Sequence, residues 1–408
     1  MTAIRSPPGA PLRLQLPRTI DFGSALGLVA SLETAESDIE IVLHSQTFVR
    51  PGGLALLCAL LVERQAAGCS VSINGPQIKV DHLVRLGLFG HLGLDAPPMP
   101  DARPAAGRYI PLQMINGGPE VSAVTNAICD LMLRRYDGAR GFVPAVEWMT
   151  YEIVDNIVLH AQAASPGIVC AQYYEAGGRL EIAVVDLGRG VRASLSETRA
   201  VADDAAALGL AVTRGVTRSS LVGQGNGLAG TLEIAKANGG TMNLCSGEAM
   251  LQQIAGCQRF ITTPPMPGTA IVLDLDTRRP VELTQTEVAG SGSWQDWNYL
   301  IAEGERLAER GGLRVLDECA HVAGRPPALA LRRKIEALLP DLEQPMVLDF
   351  DGIRMASSSF LDELLGRLVE AHGPEVLGAR IQLKNVEPLI QRLAENVISQ
   401  RLAGSGVK

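Results

Sequence analysis

The sequence predicts a multidomain α/β protein: an α+β centre with a mixed sheet, between two smaller α/β blocks. Three observations lead there. The 408 residues are enough for about three domains of ordinary size. Two stretches have linker composition: "LDAPPMPDARPAAGRYIP" (94–111) holds five prolines, and "TRRPVELTQTEVAGSGSW" (277–294) closes with Gly-Ser-Gly-Ser before its tryptophan. Strand-like and helix-like runs also alternate in the first and last blocks, as a sheet covered by helices requires. The expected division is 10–95, a linker over 96–118, a central block over 119–278, a linker over 279–298, and a last block over 299–402.

In the first block "DIEIVLH" reads as a strand and "GGLALLCALLVERQAAG" as a helix ending at Gly68. "SVSIN" is a second strand and "KVDHLVRLGLFGHLG" a second helix. The central block opens with helices over 121–136 and 142–161. The hairpin "GIVCAQYYEAGGRLEIAVVDLG" follows, turning at Ala176-Gly177-Gly178. A loop-rich stretch, 191–226, leads to the helix "LAGTLEIAKANGG" and the strands "TMNLCSG" and "TAIVLDL". The last block repeats the alternation through "RKIEALLPDL", "PMVLDFDGI", "SFLDELLGRLVEAHG", "ARIQLKNV" and "EPLIQRLAENVISQRL".

A hydrophobic fraction of 47% with 20% charged residues belongs to a chain that builds a core. The net charge, 36 − 44 = −8, without any dense Lys/Arg run, argues against a nucleic-acid partner. Four prolines in "MTAIRSPPGAPLRLQLPRTI" interrupt any signal-peptide core. The longest apolar run, "GGLALLCALLV", is about half of the roughly 20 residues that span a bilayer. Seven scattered cysteines and six scattered histidines form no zinc-like cluster, and the simplest placement is a reducing cytoplasm.

The chemistry concentrates in the central block. In "YEIVDNIVLHA" Glu152, Asn156 and His160 follow i, i+4, i+8 and share one helical face, beside an apolar row of Met149, Ile153 and Ile157. A carboxylate, an amide and an imidazole beside a buried row are costly in a plain core and point to a site. Asp186-Leu187-Gly188-Arg189-Gly190 follows a buried strand, with Asp186 as the first polar group at its tip. Gly223-Gln224-Gly225-Asn226-Gly227 precedes a helix and offers backbone N–H groups to a phosphate. Gly268-Thr269 opens the last strand.

Glu-x3-Asn-x3-His, DxGxG, GxGxG and Gly-Thr in this order resemble the GHKL superfamily, whose Bergerat-fold domain binds ATP; gyrase, heat-shock chaperone ATPases, histidine kinases and MutL belong to it. The resemblance covers roughly 119–278. It implies Asn156 on Mg2+ and Glu152 activating a water or hydroxyl. Asp186 would accept from the adenine amino group with help from Thr269, Gly188 and Gly190 would line the base pocket, and Gly225, Asn226, Gly227 and Leu228 would cradle the phosphates. Residues 191–226 would form a mobile lid carrying Arg192, Arg199, Arg214 and Arg218. A histidine at the position of His160 supports the helix in many relatives. An amide ligand completed by nucleotide phosphates and waters suits Mg2+, and a carboxylate one turn away is placed to orient a nucleophile.

The flanking blocks resemble STAS-like domains, the last one the STAS-like family without an assigned role. "LDFDGIRMASSSFLDELLG" is similar to the strand–turn–helix of anti-sigma-factor antagonists, in which a serine is phosphorylated by a GHKL kinase. Ser358 falls at that position, between Ser357 and Ser359. Ala356 stands where those proteins carry aspartate, and a serine that caps the following helix is the competing reading. In the first block "FVRPGGLALL" keeps the shape without a serine.

A histidine kinase is excluded as the parent, because no histidine lies between His91 and His160 to accept phosphate upstream. Three activities remain for this cytoplasmic nucleotide switch. One is serine phosphoryl transfer under Mg-ATP control, with Ser358 as acceptor; another is slow ATP hydrolysis driving a dimeric clamp. The third uses ATP as a structural ligand only. Protein partners through the STAS-like blocks and a homodimer are expected.

Overall fold

Strand pairing separates a parallel architecture at both ends of the chain from an antiparallel one between them. The computed structural model describes residues 11–35, 38–97, 108–135, 139, 141–214, 227–281, 312–322, 324–342, 344–354 and 356–404. In the first block β1 (Leu12–Gln15), β3 (Ile39–Val42) and β5 (Val71–Asn74) form a parallel sheet in the order β1-β3-β5. A short parallel ladder joins β2 (Thr19–Ile20) to β4 (Phe48–Val49). Helices α1 (Phe22–Leu26), α2 (Val29–Glu33) and α3 (Pro51–Ala66) pack together. Asp21 and Ser24 close a capping box on α1. The helix expected over 79–93 is instead two, α4 (Gln77–Arg85) and α5 (Leu88–His91), because Gly87 sits at φ +87° between them.

The central sheet runs β6-β7-β8-β10-β9, from β6 (Tyr109–Ile115), β7 (Gly167–Tyr174), β8 (Arg179–Asp186), β9 (Thr241–Ile254) and β10 (Cys257–Asp276). Every pairing in it is antiparallel, where the sequence predicts a mixed sheet. β7–β8 and β9–β10 are short-turn hairpins, which pair only antiparallel. β6 lies inside the stretch expected to be linker; Pro111 masks its alternation and coincides with a register shift between Ile110 and Gln113. Its helices are α6 (Gly118–Arg135), α7 (Phe142–Asn156), α8 (Gly190–Ser196), α9 (Asp204–Ala211) and α10 (Gly227–Ala237). The described part of the stretch read as loop-rich therefore holds two helices.

In the last block β11 (Gly312–Arg314), β12 (Met346–Asp349) and β13 (Ile381–Lys384) pair in parallel in that order. The helices are α11 (Val315–Glu318), α12 (Arg325–Leu338), α13 (Ser358–Leu361), α14 (Arg367–His372), α15 (Val376–Ala379) and α16 (Pro388–Gly404), with a π turn at Asp362–Gly366 between α13 and α14.

Both faces of the central sheet are covered, which explains the unbroken apolar run over 182–185 in β8. Leu180, Ile182 and Val184 of β8 join the apolar cluster that contains α6, α7 and α10, while Ala183 and Val185 join the cluster of α3. Glu181 is on the α3 side, 2% exposed. It accepts from Arg50 Nε at 2.7 Å and from the Gly52 N–H at 3.2 Å. Burial pushes its carboxyl up, and Arg50 opposes that. Arg50 also bonds Asp274 at 3.1 Å. A Cβ on Gly53 would lie 2.4 Å from the Ile20 carbonyl and 2.8 Å from that of Asp21. Gly53→Ala is therefore expected to lower stability by roughly 2–3 kcal/mol, read as a shifted urea midpoint at unchanged slope.

The cluster containing α6 and α7 runs on into the last block through Val315, Val322, Ala356 and Phe360. Gly324 faces Asp155 of α7, with its Cβ position 3.5 Å from Asp155 Oδ1. Among the described residues no helix is long and apolar enough to cross a membrane.

Candidate functional site

The end of α7 organises the site. Val146, Met149 and Ile153 bury one side of this helix, and Glu152 and Asn156 stand half-buried on the next. The α-helix stops at Asn156, and Ile157–Ala161 is a π turn rather than the expected continuation. The wider winding breaks the i, i+4 row before His160. What holds the turn comes from the DxGxG stretch: Arg189 donates its backbone N–H to the Ala161 carbonyl at 2.9 Å and its Nε to the His160 carbonyl at 3.1 Å. These carbonyls are the ones a helix end leaves without partners.

Two close approaches fix where the helix face points. A Cβ on Gly227, the first residue of α10, would lie 2.6 Å from Glu152 Oε2. A Cβ on Gly188 would lie 2.1 Å from the Ala161 carbonyl. Asn156 lies between Glu152 and Ala161 on the same chain segment. The fold thus brings the first, second and third sequence elements onto one helix end.

Asp186 and Thr269 complete it. They are direct partners across β8 and β10. By strand alternation Asp186 shares the face of Leu180, Ile182 and Val184, and Thr269 that of Ile271 and Leu273, so both lie on the side covered by α6, α7 and α10. Asp186 is 7% exposed and accepts from the Gly188 N–H at 2.9 Å. Burial pushes its carboxyl up to about 6, against backbone hydrogen bonds from Gly188 and Thr269. A buried carboxylate next to the close backbone at Gly188 and Gly190 can accept a hydrogen bond from an amino group, and its perturbed pKa marks it as a site candidate.

Gly227 and Leu228 open α10 and are half-buried. Gly225, Asn226 and Arg218 lie outside the described residues. Of the other lid arginines, Arg192 bonds the Ala202 carbonyl at 2.8 Å and pairs with Asp204; Arg199 follows α8 and Arg214 follows α9, exposed. Sequence reasoning missed Arg189 as the group closing the π turn and Ser246 as the hydroxyl that bonds the Val191 N–H and the Gly268 carbonyl. The first sits inside a quoted motif; the second belongs to none.

In the last block Ser357, 1% exposed, accepts from the Phe360 N–H at 3.1 Å and the Gly324 N–H at 3.0 Å. It is the N-cap of α13. Ser358, the expected acceptor, follows as the first residue of that helix. A separate cleft at the ends of β12 and β13 is lined by Asp351, Arg354, Asn385 and Glu387. Asp351 is already paired with Arg314, and the cleft is assigned no chemistry.

Among the described residues no group of three or more His, Cys, Asp or Glu side chains has metal-binding geometry. The donor set at α7 nevertheless fits Mg2+ brought in by a nucleotide, which needs one amide or carboxylate ligand besides phosphates and waters.

Residues 328–391 match the family described as "STAS-like domain of unknown function (DUF4325)". The last block therefore carries a STAS-like domain. The matched stretch lies C-terminal to the candidate site and does not bear on it. No curated protein matches the chain.

Proposed function

We propose that the central block binds Mg-ATP in the manner of GHKL domains and that occupancy of this site controls the flanking blocks. The observation that carries this reading is the convergence on the end of α7, where Glu152 abuts Gly227 and Ala161 abuts Gly188. In this reading Asp186 accepts from the adenine amino group beside Thr269, and the backbone at Gly188 and Gly190 lines the base. Gly227 and Leu228 at the start of α10, with Gly225 and Asn226 before them in the sequence, would offer their N–H groups to the phosphates. Asn156 would hold Mg2+, which supplies charge neutralisation at the triphosphate. Glu152 would orient an attacking hydroxyl, either water or a serine.

The STAS-like domain is the natural recipient of the signal. Asp155 precedes Asn156 directly and faces Gly324, whose N–H is held by Ser357. A shift of the helix end on nucleotide binding would reach the start of α13 through these contacts. Ser357 itself is buried as a cap, so phosphoryl transfer to that serine would require the start of α13 to open.

γ-Labelled ATP with the purified chain separates the chemistries. Label on protein means a serine kinase, free phosphate a hydrolase, and binding without either a ligand-controlled module. Glu152→Ala is expected to lose turnover by roughly 100-fold or more while nucleotide still binds. Turnover that persists in this variant would remove Glu152 from the role given to it.

A further inference from the structure

Ser246 lies in the middle of β9, outside every glycine-rich stretch, and its hydroxyl is buried at 3% exposure. It is used twice. It accepts from the Val191 N–H at 3.0 Å and donates to the Gly268 carbonyl at 2.7 Å. Val191 is in the first turn of α8, where a backbone N–H has no helical carbonyl to bond. Gly268 precedes Thr269, the partner of Asp186. A Cβ on Gly190 would lie 2.7 Å from Ser246 Oγ, and one on Gly268 would lie 2.1 Å from the Asp186 carbonyl. The turn after β8, the start of β10's inner half and the lid's first helix therefore close on one hydroxyl, with no room for a side chain between them.

We propose, resting on the nucleotide-site reading above, that Ser246 is a positioning residue for base recognition: it ties the first turn of α8 to the Gly268 turn and so holds Thr269 and Asp186 in register for adenine. It touches the base end of the site only. The phosphate end, at Gly227 and Asn156, is carried by α7 and α10. Loss of the hydroxyl strands a buried donor and a buried acceptor together, and the lid is released exactly at the side that reads the base. That separation distinguishes positioning from a general contribution to the fold.

The test uses the full chain and its Ser246→Ala and Ser246→Thr variants, after melting curves establish that each folds. Calorimetric titration with Mg-ATP and with magnesium tripolyphosphate is paired with hydrogen exchange of the nucleotide-free proteins. Ser246→Ala should weaken ATP by about tenfold, leave tripolyphosphate unchanged, and speed exchange at the Val191 amide. Ser246→Thr keeps the hydroxyl and should restore both ATP affinity and the slow exchange at Val191. Unchanged ATP affinity in the alanine variant, or an equal loss of ATP and tripolyphosphate, overturns the inference while the site stands. If the unsubstituted chain takes up neither ligand, the site reading itself falls and takes the inference with it.

Discussion

Asp186→Asn is expected to flatten the pH dependence of both stability and nucleotide affinity. In the folded chain burial raises this carboxyl from its ordinary 3.8 to about 6. The sign follows from proton binding: between those values the folded state holds a proton that the unfolded state has lost. The stability this contributes is fully present below about pH 4 and is lost as pH rises through about 6. The gap corresponds to roughly 3 kcal/mol, as an upper figure. Asparagine removes the titration, although it also withdraws one acceptor from the Gly188 and Thr269 N–H groups, so its stability near pH 7 should change little. Nucleotide affinity runs the other way. If the ionised form is the competent acceptor, ATP binds roughly tenfold more weakly at pH 5 than at pH 7. The asparagine variant should lose this dependence and bind more weakly at pH 7 by roughly 10- to 100-fold. Titration of ATP itself is common to both proteins and cancels in the comparison. Parallel pH profiles for the two proteins would remove Asp186 from the site.

Asp362→Ala should cost the STAS-like domain about 3–5 kcal/mol. Asp362 is fully buried in the π turn. Arg401 grips both its oxygens, at 2.7 and 2.6 Å, and Arg325 adds a bond at 2.6 Å. Glu363 extends the network to Arg325 and Arg332. Burial alone would raise the Asp362 carboxyl, but Arg401 and Arg325 outweigh it and hold it below the ordinary value. Its contribution is therefore present above the ordinary carboxyl pKa and lost as pH falls below it. Truncation removes the carboxylate that Arg401, only 9% exposed, shares with Arg325, leaving Arg401 with Glu370 and Arg325 with Glu363. The half-exposed Lys334–Glu318 pair is the control, and breaking it should cost less than about 1 kcal/mol. Urea unfolding followed by circular dichroism ranks the two. Equal effects would mean that the π turn is held by apolar packing around Phe360 and Leu364 instead.

The elements legible in sequence were those whose local pattern and tertiary role agree. "GGLALLCALLV" and the run "IAVV" of β8 are apolar throughout because α3 and β8 are buried, and both were read correctly as helix and strand. The helix α9 was missed although Asp203 signals its start, accepting from the Ala206 N–H at 2.7 Å. The length of β9 and β10 was hidden by Gly247, Pro264, Pro265 and Pro267; the register shifts between Thr262 and Ala270 show how the hairpin absorbs them. The π turn was invisible because its cause is Arg189, distant in sequence. The same division holds at the site. Glu152, Asn156, Asp186 and Gly188 sit in short motifs with their own spacing, whereas Ser246 acquires its part only when β9 is laid beside β10.

Titration calorimetry of the full chain with ATP, with and without magnesium, tests the central claim most directly. The account predicts saturable heat at one nucleotide per chain, weakened when magnesium is withdrawn or Asn156 is replaced by alanine. No heat with any adenine nucleotide, or binding untouched when Asn156 and Asp186 are replaced together, would contradict it.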